Sequence, residues 1–319
     1  KGGEAMKNWK SIVYLVCAIQ VGAGISMVGV MSFLPLFLSE LGLTDPGEAA
    51  FWAGLITGVT PFMIALSAPF WSIQADRRGP KVVMTIVLSA VTLSSLASGF
   101  STAPWQILIF RTLQGLVGGF VPIGLSIVAT VTPEHKTSWA MGYFQAAMVM
   151  GIMLGPLLGG SIADTFGYRT PFFFFAFLAF LCLLSVQFFL PPIHRKGASK
   201  DRSSTFSQIL YFMKIPRVRI MTFMQFLCNF GITGIGPILP LYLKQMIGTS
   251  SDLVATIVGF IIFISGGCSA FMSLNVGRLT ERIRPHRLLI GATIFVGFTF
   301  FMQYHMHTVE SLGFWRAIT

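Results

Sequence analysis

The side chains with chemical potential are few and stand one at a time. Arg111 sits in the run Arg111-Thr-Leu-Gln114-Gly115, embedded in apolar sequence. Asp76, Arg77, Gly79 and Lys81 form a second group in Ser72-Ile-Gln-Ala-Asp-Arg-Arg-Gly-Pro-Lys81, and Gly277, Glu281 and Arg282 a related third. The remaining polar groups inside apolar runs are the amides Gln20, Gln145, Gln225 and Asn229. Catalysis would need a His/Asp, Ser/Lys or paired-acid constellation, and none is spelled out. The five histidines and 11 acidic residues fall in loops or at the ends of apolar runs. Cys17, Cys182, Cys228 and Cys268 are widely separated, with no metal-binding spacing. The reading is therefore no enzyme, no metal and no cofactor.

The elements that must position these groups are set by composition. Of 319 residues, 54% are hydrophobic and 10% charged, against about 25% charged in an ordinary soluble domain. Mean hydropathy is +0.76. A disordered chain, a disulfide scaffold and a soluble enzyme are all excluded. A span needs about 20 mostly apolar residues to cross a bilayer. Nine such stretches occur, near 12–38, 51–72, 82–102, 105–128, 139–163, 169–190, 218–243, 253–276 and 287–305, and a tenth begins at Phe314. Period-2 alternation is missing, so barrel strands are excluded. The fold class is an all-α multi-pass membrane protein.

The net charge of +11 does not signal nucleic-acid binding, because of where the charges lie. Eighteen of the 22 basic residues fall at the N-terminus or in even-numbered loops, whereas loop 1–2 holds Glu40, Asp45 and Glu48 and no basic residue. The positive-inside rule then predicts a cytoplasmic N-terminus. Residues 1–10 form the cytoplasmic N-terminus, 11–190 a first bundle, 191–217 a cytoplasmic linker loop and 218–319 a second bundle. Within the linker, Phe206 to Met213 reads as a short interfacial helix. Lys1-Gly-Gly is compatible with a translated ribosome-binding sequence ahead of Met6, so residues 1–5 are expected to be leader.

A repeat organises the chain. Phe33-Leu-Pro-Leu-Phe-Leu38 matches Ile238-Leu-Pro-Leu-Tyr-Leu243 at an offset of 205, without a gap. The same offset pairs Gln20 with Gln225, Gly54 with Gly259, Arg77 with Arg282, Pro80 with Pro285 and Arg111 with Arg316. Two homologous six-span halves are expected, the second continuing beyond Thr319.

The loop Ser72–Lys81 resembles the signature loop of the major facilitator superfamily, usually Gly-x-x-x-Asp-Arg-x-Gly-Arg-Lys, with Ser72 and Pro80 as departures. Gly277-Arg-Leu-Thr-Glu281-Arg282 is similar to its second-half copy. The resemblance implies two six-helix bundles with Asp76 latching them on the cytoplasmic side. Arg111-Thr-Leu-Gln114-Gly115 resembles an element of proton-coupled members in which the arginine takes part in proton transfer. A mid-span arginine costs at least ~2.5–3.5 kcal/mol on insertion scales, so it needs a partner or a wet cavity. The plainer alternative is an arginine that ties carbonyls together. Gly151, Gly155, Pro156, Gly159 and Gly160 form Gly-x-x-x-Gly-Pro-x-x-Gly-Gly, similar to the antiporter motif of the drug/proton antiporter branch, bacterial twelve-helix multidrug-efflux type. The glycines at 151, 155 and 159 predict one close-packing face, and Pro156 a kink.

These resemblances imply a monomeric bacterial exporter of drugs or amphiphilic small molecules in the cytoplasmic (inner) membrane, driven by protons through alternating access. The alternative is a carrier of the same superfamily for a sugar or metabolite. Gln20, Arg111, Gln114, Gln145, Gln225 and Asn229 are the cavity candidates, with Phe144, Met148, Phe223 and Phe226 as an apolar wall or simple packing. No carboxylate is buried within a span. The coupling group then lies beyond Thr319, or is Glu40 or Asp164 at a helix end, or coupling differs.

Overall fold

The computed structural model describes residues 9–43, 45–192, 214–234, 236, 238–247, 253–282, 285–305 and 308–318. The expected leader at 1–5 and the linker helix at Phe206–Met213 lie outside the described residues. So do the side chains of Glu281 and Arg282, although the backbone there is helical.

All regular structure among the described residues is helical. In the first bundle α1 is Trp9–Val28, α2 Leu34–Glu40, α3 Pro46–Arg78, α4 Pro80–Gly99, α5 Pro104–Leu116, α6 Phe120–Val131, α7 Thr137–Phe166 and α8 Thr170–Phe189. In the second, α9 is Pro216–Gly234, α10 Leu239–Ile247, α11 Val254–Arg282, α12 Pro285–Tyr304 and α13 Val309–Ile318. Proline opens α3, α4, α5, α9 and α12, the position where its missing N–H and fixed φ cost nothing. Six helical segments among the described residues are long and apolar enough to cross a membrane, from Trp9–Ser32 to Thr170–Phe189.

Three spans expected to be continuous are each made of two helices. A short 3₁₀ turn, Gly29–Ser32, separates α1 from α2, α5 and α6 part at 117–119, and α9 ends five residues before α10 begins. Hydropathy stays high through all three breaks, so an apolar window cannot register them. Pro156, by contrast, does not interrupt α7.

Helix starts recur at the repeat offset. Leu34 and Leu239 open α2 and α10, Pro80 and Pro285 open α4 and α12, and Pro104 and Val309 open α5 and α13. Within the first bundle α1 packs on α7, α3 on α5 and α4 on α8; between bundles the main pairing is α7 with α11.

Two buried clusters lie at opposite ends. Call the end carrying Arg77, Arg78 and Lys136 the basic end, and the other the far end. The basic-end cluster runs through Val13, Val87, Ile127 and Val186 and draws only on residues 12–190. The far-end cluster joins Leu34, Phe37 and Phe172 of the first bundle to Leu243, Val254 and Leu312 of the second. The bundles are sealed at the far end.

Candidate transport site

The signature loop is built by one glycine. α3 ends at Arg78, and Gly79 takes φ +88°, ψ 147° before α4 starts at Pro80. That region of backbone space is essentially closed to residues with a Cβ, which explains why this short turn carries glycine. Asp76 is half-buried, and Arg77 and Arg78 are exposed. Lys81 has a different task. Its Nζ donates to the carbonyls of Gln187 at 2.9 Å and Leu190 at 2.5 Å, at the end of α8. At the far end Arg169, just ahead of α8, donates to the Gly99 carbonyl that closes α4 and lies over the Phe37 ring. Each helix of this antiparallel pair thus has its C-terminal carbonyls held by a cation at the start of the other, where helix polarity favours positive charge.

Arg111 lies one turn before the break in the fourth span and is 5% exposed. Its Nη1 donates to Gln114 Oε1 at 3.0 Å and reaches the Met27 carbonyl at 3.4 Å, near the end of α1. Ser94 holds the same Gln114 oxygen at 3.3 Å. Arg111 Nη2 and Gln114 Nε2 are buried with no hydrogen-bond partner. Beyond Gly115 the helix parts at Gly118-Gly119, with Gly119 at φ +129°. Carbonyls around the break are taken up by α3. Thr60 Oγ1 donates to Arg111 at 3.3 Å, Ser67 Oγ to Gly115 at 3.1 Å and Trp71 Nε1 to Leu116 at 2.7 Å. Backbone groups freed at membrane depth must find partners inside the protein, and the spacing 60, 67, 71 puts three donors on one face of α3. That spacing of polar side chains in an apolar span was the available signal, and the motif reading passed over it.

The glycine string of α7 serves two neighbours. A Cβ on Gly151 would stand 3.0 Å from the Val21 carbonyl, and one on Gly155 would stand 3.0 Å from the Gly29 nitrogen. Gly159 faces the Gly29 carbonyl, all on the first span. Gly160 instead faces the carbonyl of Ala255, and the Pro156 carbonyl lies where a Cβ on Gly259 would stand. The same stripe continues from Met153, packed under Gly266, to Asp164. Asp164 accepts hydrogen bonds from the backbone nitrogens of Ala255 at 3.3 Å and Thr256 at 2.6 Å.

Toward the basic end this stripe is uncovered. Met150 and Ala146 continue it at helical spacing and are exposed. The α7 face that packs on α11 at the far end is thus exposed toward the basic end. At the basic end Trp9, Tyr14, Trp139 and Tyr143 form an aromatic cluster, with Trp139 and Tyr143 centroids 4.3 Å apart. No sequence signal marks this cluster, because α1 and α7 are far apart in the chain.

The cavity candidates divide. Gln145, Gln225 and Asn229 are exposed, although Asn229 spends its amide nitrogen on the Gln225 carbonyl of its own helix. Gln20 is 2% exposed and sits inside the first bundle, its Oε1 beside Gly124. Phe144 is fully buried against Gly124, whereas Phe223 and Phe226 are exposed. A groove of about 490 Å³ between α4 and α5, lined by Phe100, Trp105 and Phe110 among others, takes no residue from α1, α7 or α11. Among the described residues no cluster of His, Cys, Asp or Glu is arranged to hold a metal.

Known proteins agree with this architecture. Residues 14–318 match the Major Facilitator Superfamily. Multidrug resistance protein MdtG of Salmonella typhi is 35% identical over 90% of this chain and 71% of its own length. Its namesake from Enterobacter lignolyticus is 33% identical over 99% and 75%. Among solved structures, a bacterial homologue of the human lysosomal transporter Spinster, inward-facing and unoccupied, superposes with a TM-score of 0.75 at 16% identity, covering 98% of this chain and 72% of that one. A D-xylose–proton symporter gives 0.67 at 15% identity, over 96% and 79%. The chain is a multi-pass membrane protein of the major facilitator superfamily, a family of small-molecule transporters built from two six-helix bundles.

Proposed function

We propose that the protein exports drugs or amphiphilic small molecules across the cytoplasmic membrane by alternating access, in exchange for protons. The observation that carries the reading is the seam between the bundles, packed at the far end and with the α7 face exposed toward the basic end. The relatives named MdtG are multidrug resistance proteins, and the α7 glycine string is the feature that separates antiporters from symporters in the resemblance. Positive-inside bias supports a cytoplasmic basic end and N-terminus, so the seam is closed on the outside and opens inward; the protein works as a monomer.

Within this reading Asp76, Arg77, Gly79 and Lys81, with Gly277, Glu281 and Arg282, form the cytoplasmic gate. Arg111, Gln114 and Gly115 form the proton relay. The burial of Arg111 within a span and its bond to Gln114 support that role. The aromatic cluster at the basic end suits a lipophilic cation, which aromatic faces attract by about 0.5–2 kcal/mol.

The test is efflux of a lipophilic cationic dye from energised cells expressing the protein. Efflux abolished by a protonophore and by Arg111→Ala supports the reading. No efflux above background favours the sugar or metabolite carrier, whose structural kinship is represented by the D-xylose–proton symporter.

A further inference from the structure

The start of α11 is capped by the wrong bundle. The first helical residues are Val254, Ala255 and Thr256, and the residue ahead of them is Leu253, whose side chain accepts no hydrogen bond. An N-cap side chain normally accepts from the second or third helical N–H. Those two N–H groups, Ala255 and Thr256, are bound instead by the two carboxylate oxygens of Asp164, 91 and 92 residues earlier and in the other bundle. α3, the repeat mate of α11, is capped locally, with Asp45 accepting from the Glu48 nitrogen at 2.9 Å.

Asp164 is also misplaced in its own helix. It lies in the last turn of α7, where helix polarity disfavours a negative charge. Facing the N-terminus of α11 reverses that balance, so the carboxylate gains by being at the seam. The contact sits at the end of the close-packed stripe in which Gly160 meets Ala255 and Pro156 meets Gly259. When the bundles part at the far end, α11 loses the cap and Asp164 loses both donors. The bond therefore exists in the closed far end alone.

We propose that Asp164 is the latch of the far-end gate, holding the bundles shut there by capping α11 across the seam. That this gate is extracellular rests on the orientation proposed above, whereas the latch itself rests on the contact. Its removal shifts the protein toward the outward-open state, by about five- to thirty-fold for an interaction of one or two kcal/mol.

The experiment reads gate opening without any drug. In full-length protein with the four native cysteines replaced by alanine, Leu243→Cys places a thiol in the fully buried far-end cluster. Its labelling by a membrane-impermeant maleimide, applied to either face of oriented vesicles, reports opening. Asp164→Ala is expected to raise labelling from the outside about five-fold or more, and Asp164→Asn, which keeps one acceptor, to raise it less. Leu253→Asp gives α11 a cap of its own in both states. Added to Asp164→Ala it is expected to leave labelling high, and alone it competes with Asp164 and raises labelling.

Unchanged labelling in Asp164→Ala and Asp164→Asn would overturn the latch. So would a return to the low rate on adding Leu253→Asp, since that would show fraying of α11 as the cause. A gain confined to reagent on the cytoplasmic face would overturn the orientation and leave the latch standing. If Asp164→Ala does not fold, Asp164→Asn and Leu253→Asp alone decide the question.

Discussion

Thr60 donates a hydrogen bond to the carbonyl of Arg111, and 205 residues later Ser265 donates one to the carbonyl of Arg316. Both members of each pair are related by the sequence repeat, so the two halves share a bond as well as a pattern. In each half a hydroxyl of the second span holds the backbone of the fourth span beside its arginine. Removing either hydroxyl is expected to cost about 1 kcal/mol. Thr60→Val and Ser265→Ala should therefore lower the melting temperature in detergent by similar amounts, and a loss in one half only would show that the bonds are not equivalent.

Arg111 separates function from stability. Taking a cation out of water is costly, and one of its donors is unmet. Arg111→Met, which fills similar space without the charge, is therefore expected to leave the melting temperature unchanged or raised while dye efflux falls by more than ten-fold. Arg111→Lys keeps the charge but puts it on a shorter, more strongly hydrated group, and should also lose most efflux. A variant that fails to fold would point to the carbonyl tie as its main role.

Lys81 and Arg169 brace α4 against α8 from opposite ends. Lys81→Met should destabilise the protein by about 1 kcal/mol, the usual worth of a cation at a helix C-terminus, with Lys81→Arg milder. Thermal unfolding followed by size-exclusion chromatography would register both. An unchanged transition in Lys81→Met would mean the tie is matched by solvent.

Glycine positions sort by what surrounds them. Gly79→Ala forces a Cβ into backbone space reserved for glycine and should cost about 1–3 kcal/mol. Gly58→Ala, with nothing within 4 Å of its Cβ site, should be neutral or slightly stabilising, because alanine is the better helix former. Equal effects at both sites, measured by thermal unfolding, would contradict the assignment.

Gly159 and Gly160 are adjacent but face different neighbours, the Gly29 carbonyl inside the first bundle and the Ala255 carbonyl across the seam. Gly159→Ala should chiefly lower stability and yield. Gly160→Ala should chiefly reduce efflux, because it wedges the far end that has to close in each cycle. The comparison needs both readouts on both variants.

Sequence alone determined the class of protein, its first six spans and the repeat. Hydropathy is a local property, and so are the prolines and glycines that begin and end helices at Pro80, Pro104 and Gly79. The candidate site was partly legible: Arg111 and Gln114 stood out as polar groups in apolar sequence and are indeed bonded to each other. What each span buries was not legible. Gln20 and Gln225 are repeat mates, yet the first is inside a bundle and the second is exposed. Nor did any window announce the break after Leu116, since a helix in a membrane can part only where a neighbour takes its freed carbonyls. Ser67 and Trp71 do so from 45 or more residues away. The cap of Asp164 on α11 is of the same kind. Its two halves acquire meaning only when the bundles close at one end, and that closure is a tertiary event.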